Sequence, residues 1–170
     1  MAVLSVGNIV SRLNHAFKDR LQNTALFQLF SELSPTPVNQ TSATLAVTDA
    51  LVNKTVTLNR AGGITVTLPP ATGTGDIYRF YVGTTFTSNG VIQVTTTDVI
   101  QGALGVTTDA AGVVIPTAAT SDTITMNGTT TGGLVGSYIE LQSVASGVWS
   151  VRGNLLSTGA EATPFSAAVS

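Results

Sequence analysis

Between Thr55 and Leu68 the chain reads TVTL-NRAGG-ITVTL, two short runs in which threonine alternates with an aliphatic residue. A strand turns successive side chains to opposite faces, so Val56, Leu58, Ile64, Val66 and Leu68 share one face. Thr55, Thr57, Thr65 and Thr67 take the other. The same alternation predicts strands at about 44–48, 55–58, 64–68, 77–82, 91–96, 113–115, 122–126, 137–144 and 148–152. Within 77–82, Tyr78, Phe80 and Val82 are expected to face inward and Arg79 outward. Near the end, Trp149 and Val151 alternate with Ser150 and Arg152, which makes the lone tryptophan a core anchor. Asn89-Gly90 signals a tight turn, with Asn127-Gly128 and Ser146-Gly147 as further breakers. Many short strands broken by turns every 8–12 residues or so predict a mainly β fold, an antiparallel β-sandwich or barrel-like domain. The sequence shows no fixed-period repeat that demands a solenoid.

The period changes before residue 34. Val6, Val10, Leu13, Phe17, Leu21, Ala25, Leu29 and Leu33 recur at steps of three and four, the spacing of one helical face. Ser5 is placed to cap this N-terminal α-helical arm, and Asn23-Thr24 to cap a second helix from Ala25, so one bent helix or two fit equally. Ser34-Pro35-Thr36-Pro37 ends it, because proline lacks the amide donor and turns its predecessor away from helical angles. The expected organisation is an arm at 1–34, a linker at 35–43, a β-domain at 44–154 and an extended C-terminal tail at 155–170 that reaches a neighbour. The apolar stripe of the arm (Val10, Leu13, Phe17, Leu21, Phe27 and Phe30, with Arg12 and Arg20 beside it) is the expected interaction surface. Docking onto a protein suits it better than lying on a membrane, since the Pro-bounded linker lets it reach away.

Composition strengthens this picture. Only 9% of the 170 residues are charged and the net charge is −2; soluble chains usually carry about 25%. Charge is depleted at the centres of protein interfaces, and so small a net charge gives copies little mutual repulsion. Assembly is therefore expected. After Arg79 the only cation is Arg152, so the β-rich part lacks the clustered Lys and Arg that neutralise phosphates, and nucleic acid is not an expected partner. No uninterrupted apolar stretch is long enough to cross a bilayer, so no membrane partner is expected. The first 33 residues set Arg12, Lys18, Asp19 and Arg20 amid apolar positions and do not read as a secretory signal.

Little in the chain offers chemistry. It has no cysteine and one histidine, His15, in the arm. A general base needs an orienting partner and a substrate pocket, and only Asp19 lies near His15 in sequence. Carboxylates are scattered singly, without metal-ligand spacing, and Asp49, Asp76, Asp98, Asp109 and Asp122 fall mainly in predicted loops, where aspartate caps and turns backbone. Gly73-Thr74-Gly75 and Gly132-Gly133 lack the Lys-Ser/Thr that follows in a phosphate loop and read as turns. No catalytic residue, metal or cofactor is expected, and the chain does not read as an enzyme. A carboxylate pair meeting in space, as in glycosidases, remains open to geometry. Phe86 is the loop aromatic most suggestive of ligand contact, and a strand-end core position explains it equally well.

The segments TVTLPPATGTGDIYRFYVGTT (65–85), DVIQG (98–102), GVWSVRG (147–153) and ATPFSAA (162–168) resemble a small β-domain of tailed-phage virion proteins. In particular they are similar to capsid decoration, or head cement, proteins. The likeness runs from about Leu45 to the C-terminus and consists of turn and core residues. It implies a structural virion protein, made in the host cytoplasm, that stabilises the capsid by binding the outer surface of the major capsid protein shell. It is expected to act as a symmetric homo-oligomer, a trimer. Related-looking domains occur in phage fibres, so a fibre or receptor-binding module for a host surface ligand is the alternative expectation.

Overall fold

The computed structural model describes residues 36–95 and 97–169. The predicted arm, with Val10, Arg12, Leu13, Phe17, Arg20, Leu21, Phe27 and Phe30, and His15 among them, lies outside the described residues. What is described is mainly β, in two sheets. The strands are β1 (Val38–Gln40), β2 (Thr44–Ala46), β3 (Thr55–Leu58), β4 (Thr65–Thr67), β5 (Ile77–Val82), β6 (Gly90–Gln93), β7 (Val99–Thr107), β8 (Gly112–Pro116), β9 (Thr123–Met126), β10 (Tyr138–Ala145), β11 (Val148–Leu156) and β12 (Phe165–Ser166). One 3-10 turn at Asp49–Leu51 sits between β2 and β3. The large sheet has the order β1-β3-β5-β10-β11-β7-β8 and the small sheet β12-β9-β6-β4-β2.

The first six strands alternate between the two sheets. β1, β3 and β5 lie side by side and parallel in the large sheet, with Val38 opposite Val56 and Val56 opposite Phe80. β2, β4 and β6 do the same in the small sheet, with Thr44 opposite Thr65 and Thr65 opposite Val91. The chain thus winds three turns of a flattened coil, and the unequal sequence step per turn hides it from a search for fixed periods. The remaining strands close the sheets in mixed sense: β9 runs antiparallel to β6, β10 to β5 and β11 to β10, whereas β7 runs parallel to β11. The expected antiparallel β-sandwich or barrel-like domain is corrected to two mixed sheets around one core.

The TVTL runs show why. Their apolar residues do meet, but across the core and not on one sheet face: Val56 and Leu58 are buried from the large sheet, Val66 from the small one. The NRAGG segment between them crosses from sheet to sheet. It is held by Arg60 Nη1 donating to the Gly63 carbonyl at 2.6 Å, while Gly63 N–H donates to the Arg60 carbonyl at 3.1 Å. Gly63 has φ 77°, and a Cβ there would lie 2.1 Å from the Asn89 carbonyl oxygen. Asn89-Gly90 is therefore no hairpin turn, because β5 and β6 lie in different sheets. Ser146-Gly147 does turn a hairpin, β10 to β11, with Gly147 at φ 75°.

Three expected loop segments carry strands. β1 falls in the expected linker, pairing Val38, Asn39 and Gln40 with β3, and its one apolar residue, Val38, packs against the core. β7 is a nine-residue strand in which Gly102 and Gly105 interrupt the apolar alternation, yet Ile100, Leu104 and Val106 are wholly buried. β12 belongs to the expected tail. Phe165 is buried and pairs with Ile124, and Asp122 accepts hydrogen bonds from the amides of Ala168 (2.7 Å) and Val169 (3.1 Å). The tail returns to its own domain, which extends from Val38 to at least Ser166.

Both sheets contribute to a single core. Tyr78, Phe80 and Val82 face it as expected, as does Trp149, whose ring centroid lies 5.7 Å from that of Tyr78. Phe86 is buried in the same core and is no ligand contact presented by a loop.

Candidate functional site

The outward side of the large sheet is set by the pleat. With Tyr78, Phe80, Ile139, Leu141, Trp149 and Val151 inward, the residues between them stand on the opposite face. Cross-strand register arranges these in rows. One runs Thr55, Arg79, Glu140, Arg152; the next runs Thr57, Tyr81, Tyr138, Asn154, Gly105, Val114. Arg79 stands outward as its place in the pattern predicts.

The first row carries a buried carboxylate. Glu140 accepts from Arg79 Nε at 2.8 Å and from Arg152 Nε at 2.7 Å, and the Tyr138 hydroxyl donates to it at 3.2 Å. Burial pushes the Glu140 carboxyl up, but hydrogen bonds from Arg152 and Arg79, the Arg152 charge and the Tyr138 hydroxyl outweigh it and hold the group below its ordinary range. The same neighbourhood raises Tyr138: burial first, then the Glu140 charge and hydrogen bond, with Arg79 opposing. Glu140 thus ties the Arg79 and Arg152 side chains to the outward face of the sheet.

The second row ends at the sheet edge. β8, GVVIP, is the terminal strand of the large sheet and has no charged residue. Val114 is 71% exposed and Val113 42% exposed, on opposite faces of the strand. Tyr81, further along the row, is also exposed. A neutral, apolar edge without lysine or an internal bulge is a surface that natural proteins normally cover or blunt. Next to it, a groove of about 520 Å³ is lined by Thr107, Thr108, Asp109, Leu134, Leu156, Ser157 and Thr158.

A second, smaller cleft of about 230 Å³ lies where the β4–β5 crossover folds over the large sheet. Pro69, Pro70, Thr72 and Asp76 come from the crossover, Asp49 from the 3-10 turn, and Tyr78, Ser143 and Trp149 from the strands beneath. The crossover is pinned from below. Ser143 Oγ accepts from Thr72 N–H at 3.0 Å and Gly73 N–H at 2.8 Å, and Asp98 Oδ2 accepts from Ala71 N–H at 2.6 Å. Of the aspartates read as loop residues, Asp98 and Asp122 thus hold backbone, while Asp49 and Asp76 meet at one cleft. The pairing of those two was invisible in the sequence, since 26 residues of strand and turn separate them. Among the described residues no group of three or more His, Asp or Glu side chains is placed to hold a metal ion.

Compared with family models, curated proteins and solved structures, the chain matches none.

Proposed function

We propose that this protein is a structural component of a phage virion that decorates the capsid, binding the outer surface of the major capsid protein shell as a symmetric homo-oligomer, a trimer. The observation that carries the reading is the uncharged edge strand β8 with Val113 and Val114 exposed, Val114 being continuous through Gly105 and Asn154 with the Tyr138 and Tyr81 row. Tyrosine and arginine are enriched in protein interfaces and charge is depleted at their centres. The sequence resemblance to head cement proteins supplies the partner. Each copy needs to cover only about 800 Å² on its side for a standard contact, and many identical copies on one shell add avidity to modest single contacts.

Contacts made by neutral groups lose little to salt screening. Decoration of shells is therefore expected to persist in concentrated salt and to fail when charge is placed on the edge. In co-sedimentation with empty shells, Val114→Lys and the Val113→Lys/Val114→Lys double variant are expected to remain in the supernatant while the parent pellets. Both positions are exposed, so the variants are expected to keep the parent's thermal stability. Undiminished pelleting of the folded double variant contradicts the role of this edge.

A further inference from the structure

β8 turns backbone groups as well as valine side chains to its outer edge. In an antiparallel ladder, alternate residues exchange N–H and C=O bonds with the neighbouring strand and the others turn theirs away. Thr108 N–H donates to the Ala111 carbonyl at 2.8 Å, and Thr117 N–H to the Gly102 carbonyl at 3.0 Å. With Gly105 opposite Val114, this phase has Val113 and Ile115 bonding to β7. Gly112, Val114 and Pro116 point their backbone groups outward. Among the described residues no strand pairs with that side. Of the four strands that end a sheet there, β8 is the longest, with five residues against three in β1, three in β2 and two in β12.

The edge thus offers donors from Gly112 and Val114 and acceptors from Gly112, Val114 and Pro116, because proline has no N–H. Groups set in this line match the main chain of another extended segment. Val114 stands on the outward face, and Val113 on the other with Ile115, which packs against the core. An added strand is therefore flanked by apolar side chains on both faces. Complementarity of charge narrows the occupant further. Neither β7 nor β8 contains a charged residue, so an ionised side chain set beside Val113 or Val114 would lose water without gaining a counter-charge from them. A second copy of β8 fits less well. In two-fold pairing about Val114, each Pro116 faces Gly112 of the other copy and gives its carbonyl no donor, and a two-fold contact does not build a trimer.

We propose that β8 takes an extended, uncharged segment of the shell subunit as an eighth strand of the large sheet, held by backbone hydrogen bonds at Gly112, Val114 and Pro116. The inference rests on the decoration reading and adds the mode of contact.

Amide hydrogen exchange on the full chain, free and bound to empty shells, tests this residue by residue. The bound chain is exchanged, released and read in a ¹H–¹⁵N spectrum. The Gly112 and Val114 amides are expected to exchange freely in the free chain and to slow at least about tenfold on shells, while Val113 and Ile115 are slow in both. Val114→Pro removes an outward donor and leaves the bonds to β7 in place. It is expected to weaken shell binding about tenfold relative to Val114→Ala, which keeps that donor. The proposal is overturned, with decoration kept, if the bound chain leaves Gly112 and Val114 exchanging freely or if the two variants bind alike. Slow exchange of both amides in the free chain, with a dimer mass in sedimentation, would give the edge to a second copy and overturn it as well. If the parent chain does not pellet with shells, the decoration reading fails and this inference with it.

Discussion

Glu140 and Arg79 face each other across β10 and β5, joined Nε to Oε2 at 2.8 Å, with the Glu140 side chain only 7% exposed. A carboxylate buried on the solvent side of a sheet is stable there only because Arg79, Arg152 and Tyr138 together replace its water.

Replacing Glu140 by Gln is expected to cost about 1–2 kcal/mol at neutral pH. This sits below the cost of breaking a fully buried pair, because the Arg152 side chain is 74% exposed. The carboxyl lies lower in the folded chain than its ordinary 4.5, so its contribution is present above that value and is lost as pH falls through the folded value. Chemical denaturation of parent and Glu140→Gln should differ at pH 7 and converge in acid. A constant difference across pH would assign the effect to packing.

The alkaline limb belongs to tyrosine. Tyr78 is raised above 10.0 by burial and by Asp76 and Asp49, and Tyr138 above 10.0 by burial and Glu140. A group whose folded value is raised contributes stability below its unfolded value and loses it as pH rises through the folded one. Tyr78→Phe and Tyr138→Phe are each expected to flatten the fall of melting temperature above pH 10. Ultraviolet titration of phenolate checks the same groups directly.

The C-terminal segment is held by Asp122, which accepts from Ala168 and Val169 amides and from the Thr123 hydroxyl at 2.7 Å. Asp122→Ala leaves these donors without their acceptor and is expected to cost about 1–3 kcal/mol. Hydrogen exchange at Ala168 and Val169 should accelerate before the core strands are affected. Unchanged protection there would show that Phe165 and the β12–β9 pairing suffice.

Two glycines separate backbone strain from steric contact. Gly75 has φ 84° and open space, the nearest atom to an added Cβ being Gln142 Nε2 at 3.9 Å. Gly75→Ala is expected to cost about 1 kcal/mol for conformation alone. Gly63→Ala adds a backbone collision with Asn89 and is expected to cost at least about twice as much. Equal melting temperatures for the two variants would place the Asn89 carbonyl elsewhere.

The alternation of residues in TVTL, IYRFYV and VWSVR reveals which side chains are inside, because burial has the period of the strand whatever its neighbours. Sheet membership is less visible, since a crossover loop such as NRAGG has the same Gly and polar composition as a hairpin loop. β7 is hidden in the sequence because Gly102 and Gly105 carry no side chain to keep the pattern. Gly102 is required where a Cβ would lie 2.3 Å from the Val151 carbonyl oxygen. The exposed edge and the cleft are harder still to read. Val113 and Val114 look like any core strand until topology leaves β8 at an edge, and Asp49 and Asp76 become neighbours only after the chain has coiled.

Imaging the virion that carries this protein by cryo-electron microscopy, and counting its copies, tests the assembly directly. Repeated density over the outer shell, at positions related by the shell's symmetry and contacting it through the β8 edge, is the expected result. Density confined to the tail tip, or none on the particle, would contradict the decoration reading.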